Sequence, residues 1–420
     1  MNTWYAVDFG TSNSLLAAVD GERHHGQIPL GADGQAVLKT ILYAAGPHQW
    51  FFGQKAIDEY LQQPTEGRVF KSLKRFLPDE SFQHTRVFQE TLTLSGLIAK
   101  FLKHIREHAN SALNRDVTHA VFGCPARFSD SKEAHALAVE RLRTAGLAAG
   151  FKHIEFCPEP IAAAYKFQAT LKEEKLVLMA DFGGGTSDFT VQKMSHRPFQ
   201  DSDVLGISGV SLAGDKYDGV IMKEYIAPHF GSQAGFKKPM AKNVSHFPKG
   251  FIKKLCSPAD LVMMSKKSVL EHIKDAKRWL VDPSDRERLE NLLLLIEDRM
   301  SYALFRDIES AKIQLSALPQ SPFEFEYCSI DVQQTIERRA FTEASQGVTA
   351  DIMKALDECL KVAGIAADEV DIVCLTGGTS QLPAIVKELE ARFGERLTTS
   401  SQFDSVVQGL AMKAQQLLVE

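Results

Sequence analysis

The sequence predicts a two-lobed α/β protein, and three observations predict it. Strand-like apolar runs alternate with helix-spaced ones along the chain. A short motif, an apolar strand running into Asp-Phe-Gly and a small polar turn, occurs twice, at Asp8 and at Asp181. The chain has 420 residues, more than one ordinary hydrophobic core holds, so roughly two or three domains or lobes are expected.

The elements follow in order. Residues 4–9 and 15–19 read as strands joined by the turn in "VDFGTSNS". Leu94, Leu97, Ile98, Phe101, Leu102 and Ile105 fall on one face of a helix over about 92–112. "VTHAVFGCP" is a strand ending at Pro125. The next stretch is a helix with Ser129 or Asp130 as its N-cap and Gly146 as its stop. "KHIEFCPEP" gives a strand, "IAAAYKFQATL" a helix, and "KLVLMADFGGGTSDFTVQKM" two strands around a glycine turn. Residues 268–280 and 285–318 read as helical. Near the end, an apolar strand meets Gly377-Gly378, and Thr379/Ser380 then cap a helix.

Composition narrows the function. A hydrophobic share of 44% with 24% charged residues is the profile of a soluble globular protein. A net charge of −5 gives no global case for nucleic-acid binding. The six cysteines are scattered without a C-x-x-C pair, which points to buried free thiols in a reducing compartment and away from zinc. The first strand starts without a basic, apolar leader, and the longest aliphatic run, Leu292 to Ile296, is far too short to span a bilayer. A cytoplasmic protein without membrane contact is expected. His24-His25 reads as turn surface, because adjacent side chains diverge.

The repeated motif carries the chemistry. A Gly/Thr/Ser turn can merely satisfy its own backbone. Its N–H groups can also cradle phosphate while a strand-end carboxylate holds a cation. A single copy leaves both readings open; two copies suggest a duplicated domain whose turns grip a polyphosphate from both sides, with Asp8 and Asp181 flanking a divalent ion. Gly377-Gly378 adds a third place where backbone can come close to a ligand.

In this order the motifs resemble the nucleotide-binding domain of the seventy-kilodalton heat-shock chaperone family, within the actin and sugar-kinase superfamily. "VDFGTSNS" and "ADFGGGTSDF" are similar to that family's two phosphate loops. "CPARFSDSKEAHALAVERLRTAGL" and "PEPIAAAY" resemble its proline strand and following segments. "LAGDKYDG", "IESAKIQLS" and "LTGGTSQLPAI" resemble its acidic turn, adenosine helix and nucleoside loop. The resemblance implies an actin-like ATPase fold, made of duplicated ribonuclease H-like domains, each with an inserted cap, and a cleft for ATP or ADP with Mg2+. Lobe I would cover 1–176 with a cap at about 37–114, lobe II 177–402 with an enlarged cap at about 220–318, and 403–420 would be a helix returning to lobe I.

The resemblance also implies roles, residue by residue. Gly10, Thr11, Ser12 and Asn13 would bind phosphates from one lobe, and Gly183, Gly184, Gly185 and Thr186 from the other. Asp8 and Asp181 would hold magnesium through water. Lys74, in "KRFL", matches the catalytic lysine, with Lys71 as the alternative. Glu159 would position the attacking water, with Thr186 and Asp188 beside it. Gly214 and Asp215 belong to the acidic turn. Glu309, Lys312 and Ser316, spaced to share one helix face, would meet the nucleoside, as would Gly377, Gly378, Thr379 and Gln381.

Some residues depart from the family pattern. Gln381 stands where arginine is usual, Phe403 where aspartate is usual, and Glu133 where a coupling arginine is usual. No β-sandwich substrate domain is expected within this chain. Residues 220–307 form a longer cap than usual. Within it, 225–259 carries Lys237, Lys238, Lys242, Lys249, Lys253 and Lys254, with Phe230, Phe236, Phe247 and Phe251, and no acid. That segment is either packed locally or docks a protein partner or client; nucleic acid is not expected. The leading expectation is a monomeric, slow Mg-dependent ATP hydrolase whose lobes change angle with the nucleotide. Its rivals are a non-hydrolysing nucleotide sensor that docks a partner through 225–259, and a small-molecule kinase of the same superfold.

Overall fold

The computed structural model describes the chain apart from residues 1–2, 22, 32–33, 63–66, 130, 169–170, 196, 198–200, 400–403 and 420. Two sheets repeat one plan. The first runs His153–Pro158, His119–Cys124, Thr3–Phe9, Asn13–Asp20, Arg23–Gln27, with Leu38–Lys39 beside Asn13–Asp20. The second runs Leu397–Thr399, Ile372–Thr376, Lys175–Phe182, Ser187–Met194, Val204–Val210. In each sheet a hairpin lies at the centre. Its first strand is antiparallel to its second and parallel to a strand that arrives only after a long excursion of the chain. The expected two-lobed α/β architecture is the one observed. Both hairpin strands read as near-continuous apolar runs because both faces of each sheet are covered.

The excursions form the caps. In the first lobe, Ile41–Gly46 pairs with Gln49–Phe52 and Arg68–Lys71, and the helix Gly53–Gln62 lies against them. The helix Leu94–Leu113 then returns to the sheet. Thr93 caps it, its hydroxyl accepting from Gly96 N at 3.0 Å, and the predicted apolar face is buried. Each such Leu, Ile or Phe contributes about 1.5–3 kcal/mol on burial. In the second lobe the excursion runs from the helix Gly214–Ile221 to Ser301–Ala317, followed by the hairpin Gln320–Tyr327 and Ile330–Glu337. One large apolar cluster joins this cap to the second sheet.

The helix Asp404–Val419 packs on the first sheet and on the helix Glu159–Gln168. Gly409 makes that contact possible: a Cβ there would lie 1.6 Å from the Ala162 carbonyl oxygen. Among the described residues no helix is long and apolar enough to cross a membrane.

Several local expectations are corrected. The helix expected from Ser129 or Asp130 to Gly146 is Lys132–Ala148, capped by Ser131, whose hydroxyl accepts from Ala134 N; Asp130 lies outside the described residues. Gly146 does not stop it, because that glycine makes room for packing: its Cβ would meet Ile154 at 2.7 Å. The helical stretch 285–318 is two helices, Asp285–Glu297 and Ser301–Ala317, broken where Arg299 takes a left-handed φ of 57°. After Gly377, Thr379 and Ser380 sit in one short 3-10 turn, and the helix starts at Pro383. Phe230, Phe236 and Phe247 are buried and Phe251 stacks on Phe247 at 4.4 Å, so the aromatic half of 225–259 is core rather than surface. The six lysines of that segment are exposed. Cys328, expected to be buried, is exposed in the turn between two strands. His25 lies in a strand, 2.9 Å from Asp20; the His24 side chain and Phe403 lie outside the described residues.

Candidate functional site

The two central hairpins aim their turns at each other. Asp8 ends the strand Thr3–Phe9, and Gly10 to Asn13 close the turn. Only glycine fits at position 10, since a Cβ would stand 2.1 Å from the Asn13 carbonyl oxygen. In the other lobe Asp181 lies near the end of Lys175–Phe182, and Gly183 N donates to Thr186 O at 2.9 Å to close the matching turn. The turns meet across the cleft: a Cβ on Gly184 would be 2.4 Å from Ser12 Oγ, and one on Gly185 would be 3.4 Å from the Thr11 methyl. Between and beneath them lies a cavity of about 590 Å3, within the usual range for small-molecule sites.

Charge is concentrated on its floor. Lys74 Nζ lies 2.6 Å from Glu159 Oε1, with both side chains largely buried. Burial works against the Lys74 charge, but Glu159 and Asp8 outweigh it and hold its pKa above the usual lysine value. Burial, then the Glu159 charge, pushes Asp8 up to about 7. The same two causes push Asp181 up to about 6, although Thr376 donates to its Oδ1 at 2.8 Å. Burial and the facing Asp181 push Asp188 up to about 7. Four carboxylates therefore share one ammonium, and the site is short of positive charge. A divalent cation between Asp8 and Asp181 fits that deficit. Among the described residues no three ligating side chains converge into a closed metal set.

The outer end of the cavity is different. Glu309, Lys312 and Ser316 do share a face of Ser301–Ala317, and Ile313 beside them is 61% exposed, an apolar surface open to the cleft. Lys312 is held by Asp218 at 2.8 Å and donates to Gly214 O at 3.3 Å. Thr379 Oγ1 donates to Gly183 O at 2.8 Å, tying the Gly377-Gly378 loop to the phosphate-type turn. Gly377 itself has a φ of 80°, and a Cβ there would meet the Phe182 carbonyl at 2.2 Å.

One cavity wall thus brings together Asp8, Gly10, Thr11, Ser12, Asn13, Lys74, Glu159, Asp181, Gly183, Gly184, Gly185, Thr186, Gly214, Asp215, Glu309, Lys312, Ser316, Gly377, Gly378, Thr379 and Gln381. Asp188 is the exception: it does not line the wall itself, although it stands directly opposite Asp181 in the hairpin ladder, on the same face of the sheet. Lys71 faces Glu309 at 3.3 Å and lies off this cavity. Sequence reasoning missed Asp218, the buried partner of Lys312, and Arg75, which approaches Asp215 at 3.9 Å. It also missed Ile313. The second acid of "GDKYDG" was a visible signal for Asp218; nothing in the sequence marked Arg75 or Ile313.

Comparison with known proteins gives two findings. A family model described as Hsp70 protein matches residues 49–248 and 287–419, leaving 249–286 of the second cap between its two segments. The chain is also similar to a chaperone protein dnaK from Emiliania huxleyi, 22% identical over 437 residues. That alignment covers 97% of this chain and 59% of the relative.

Proposed function

The chain belongs to the Hsp70 family and has its two-lobed, actin-like ATPase fold; from that premise we propose that its cleft binds ATP or ADP with Mg2+ and hydrolyses ATP slowly, with the angle between the lobes following the nucleotide. Members of the family bind these nucleotides with magnesium. The observation that carries the reading is the pair of hairpin turns facing each other over the Lys74–Glu159 pair. The backbone N–H groups of Gly10–Asn13 and Gly183–Thr186 would cradle phosphate oxygens from opposite sides. Asp8 and Asp181 would hold the magnesium through water, and the ion, when bound, neutralises phosphate charge. Glu159 would orient water for attack, with Lys74 holding it in place and Thr186 and Asp188 in support. Glu309, Lys312, Ser316 and Gln381 would receive the nucleoside, and Ile313 offers its base a flat apolar face.

The division of the chain follows the same reading: lobe I at 1–176, lobe II at 177–402, and the helix Asp404–Val419 returning to lobe I. Any protein partner using 225–259 would meet its exposed lysines, since the phenylalanines are turned inward.

Calorimetric titration with ATP, ADP and GTP, with and without magnesium, followed by single-turnover hydrolysis, tests the proposal. Magnesium-dependent ATP binding with turnover lost in both Lys74→Ala and Glu159→Ala is the expected result; absence of nucleotide binding would overturn it. A second reading, a nucleotide sensor without hydrolysis, is favoured by one observation: Lys74 already occupies Glu159 at 2.6 Å. Tight binding without turnover would select it.

A further inference from the structure

A second cavity, of about 690 Å3, lies between the two caps and, among the described residues, shares only Phe76 with the first. The Lys71–Glu309 ion pair partitions them, with Lys71 on the wall of one and Glu309 on the wall of the other. The second cavity differs in chemistry from the first. Its body is aromatic: Phe70 and Tyr60 from the first cap, with Phe305 and Tyr302 from the second, line it and are largely buried. Among the described residues its wall holds five Arg or Lys side chains and no Asp or Glu.

Only Lys71 of these five has a carboxylate partner among the described residues. Arg68 lies over the Phe70 ring at 4.9 Å and donates to Arg86 O at 2.6 Å. Arg299 crosses from the other cap and donates to Gly67 O at 2.6 Å. Burial, then the charge of Arg299, lowers the pKa of Arg68, so the two guanidinium groups repel each other where they stand. Arg86 and Arg299 are exposed, which puts cationic groups at the mouth and the rings inside.

We propose that this inter-cap cavity is a binding site for a small amphipathic anion, its aromatic or alkyl body against Phe70, Tyr302 and Phe305 and its carboxylate or sulfonate head on Arg68 and Arg299. An anionic head relieves the repulsion between the two cations and takes charge-assisted hydrogen bonds from them. The apolar body leaves water for a wall of rings. Because each cap supplies one arginine and part of the ring wall, the molecule is gripped only while the caps are together. The site is independent of the nucleotide reading.

The test uses the full chain and 1-anilinonaphthalene-8-sulfonate, followed by fluorescence, with dodecanoate and dodecanol as competitors. Expected are saturable binding at one site, displacement by dodecanoate but not by dodecanol, and an at least tenfold loss of affinity in the double variant R68Q/R299Q. Circular dichroism checks that this variant is folded. If it does not fold, Arg86→Gln, at an exposed position, replaces it with an expected loss of about threefold. No saturable binding, affinity unchanged by the arginine substitutions, or equal displacement by acid and alcohol would overturn the proposal.

Discussion

Ser12 and Gly184 stand face to face across the cleft, so close that a single methyl group on Gly184 would come within 2.4 Å of the Ser12 hydroxyl. One lobe supplies a small hydroxyl and the other supplies no side chain at all. Gly184→Val is expected to weaken ATP binding about tenfold or more, while the unfolding midpoint moves little, because the turn borders the cleft rather than the core. Gly184→Ala should fall between, since the serine hydroxyl can rotate away. Calorimetric titration beside a thermal melt distinguishes this from general destabilisation.

The Lys74–Glu159 pair is buried, and removing one partner strands the other. Lys74→Met should cost about 3 kcal/mol of stability. The double variant Lys74→Met/Glu159→Gln should recover part of that loss. Urea unfolding of the two single variants and the double variant measures the coupling; additivity would show that the charges do not act on each other.

Asp8, Asp181 and Asp188 are raised to about 7, about 6 and about 7, above the ordinary carboxylate value. The folded protein therefore binds more protons than the unfolded chain between about pH 4 and pH 7. In EDTA, stability should fall as pH rises through that window. Magnesium favours the ionised forms, so its binding should release protons at about pH 6 and tighten as pH rises. Unfolding curves at several pH values, with EDTA or magnesium, read the slope directly, and Asp8→Asn should flatten it.

Lys71 and Glu309 join the two caps at 3.3 Å. Burial opposes the Lys71 charge, but Glu309 outweighs it and raises its pKa. The Glu309 side chain is 39% exposed, so solvent screens the pair and its worth is about 0.5–1 kcal/mol. Lys71→Ala should therefore speed nucleotide release by about two- to fivefold, and the effect should shrink in high salt. Stopped-flow release of a fluorescent nucleotide at two salt concentrations checks both parts.

The duplicated hairpins were legible because a strand, an acid and a glycine turn are local in sequence, and their repetition at Asp8 and Asp181 needs no knowledge of packing. Gly10 and Gly377 were legible for the same reason. Gly146 was misread as a helix stop because a glycine that makes room for Ile154 looks, in one dimension, the same as one that ends a helix. The break at Arg299 carries no glycine or proline; its left-handed backbone belongs with contacts to Tyr60 and Gly67 of the other cap. The phenylalanines of 225–259 read as a possible surface because their partners, His272 above all, lie further along the chain. Asp218 and Lys312 are far apart in sequence, and only the fold brings them together.

The chain passes from the first lobe to the second after the helix Glu159–Gln168 and comes back with the helix Asp404–Val419, and these two helices touch at Ala162 and Gly409. Two crossings clamped side by side would resist twisting and, on the proposed reading, would leave the lobes one direction of swing. Glu159 is the first residue of one of those crossings. If the lobes move as proposed, the carboxylate that would sense the state of the phosphates sits at the pivot, and a displacement of a fraction of an ångström there would be levered into a much larger travel at the far rims of the caps.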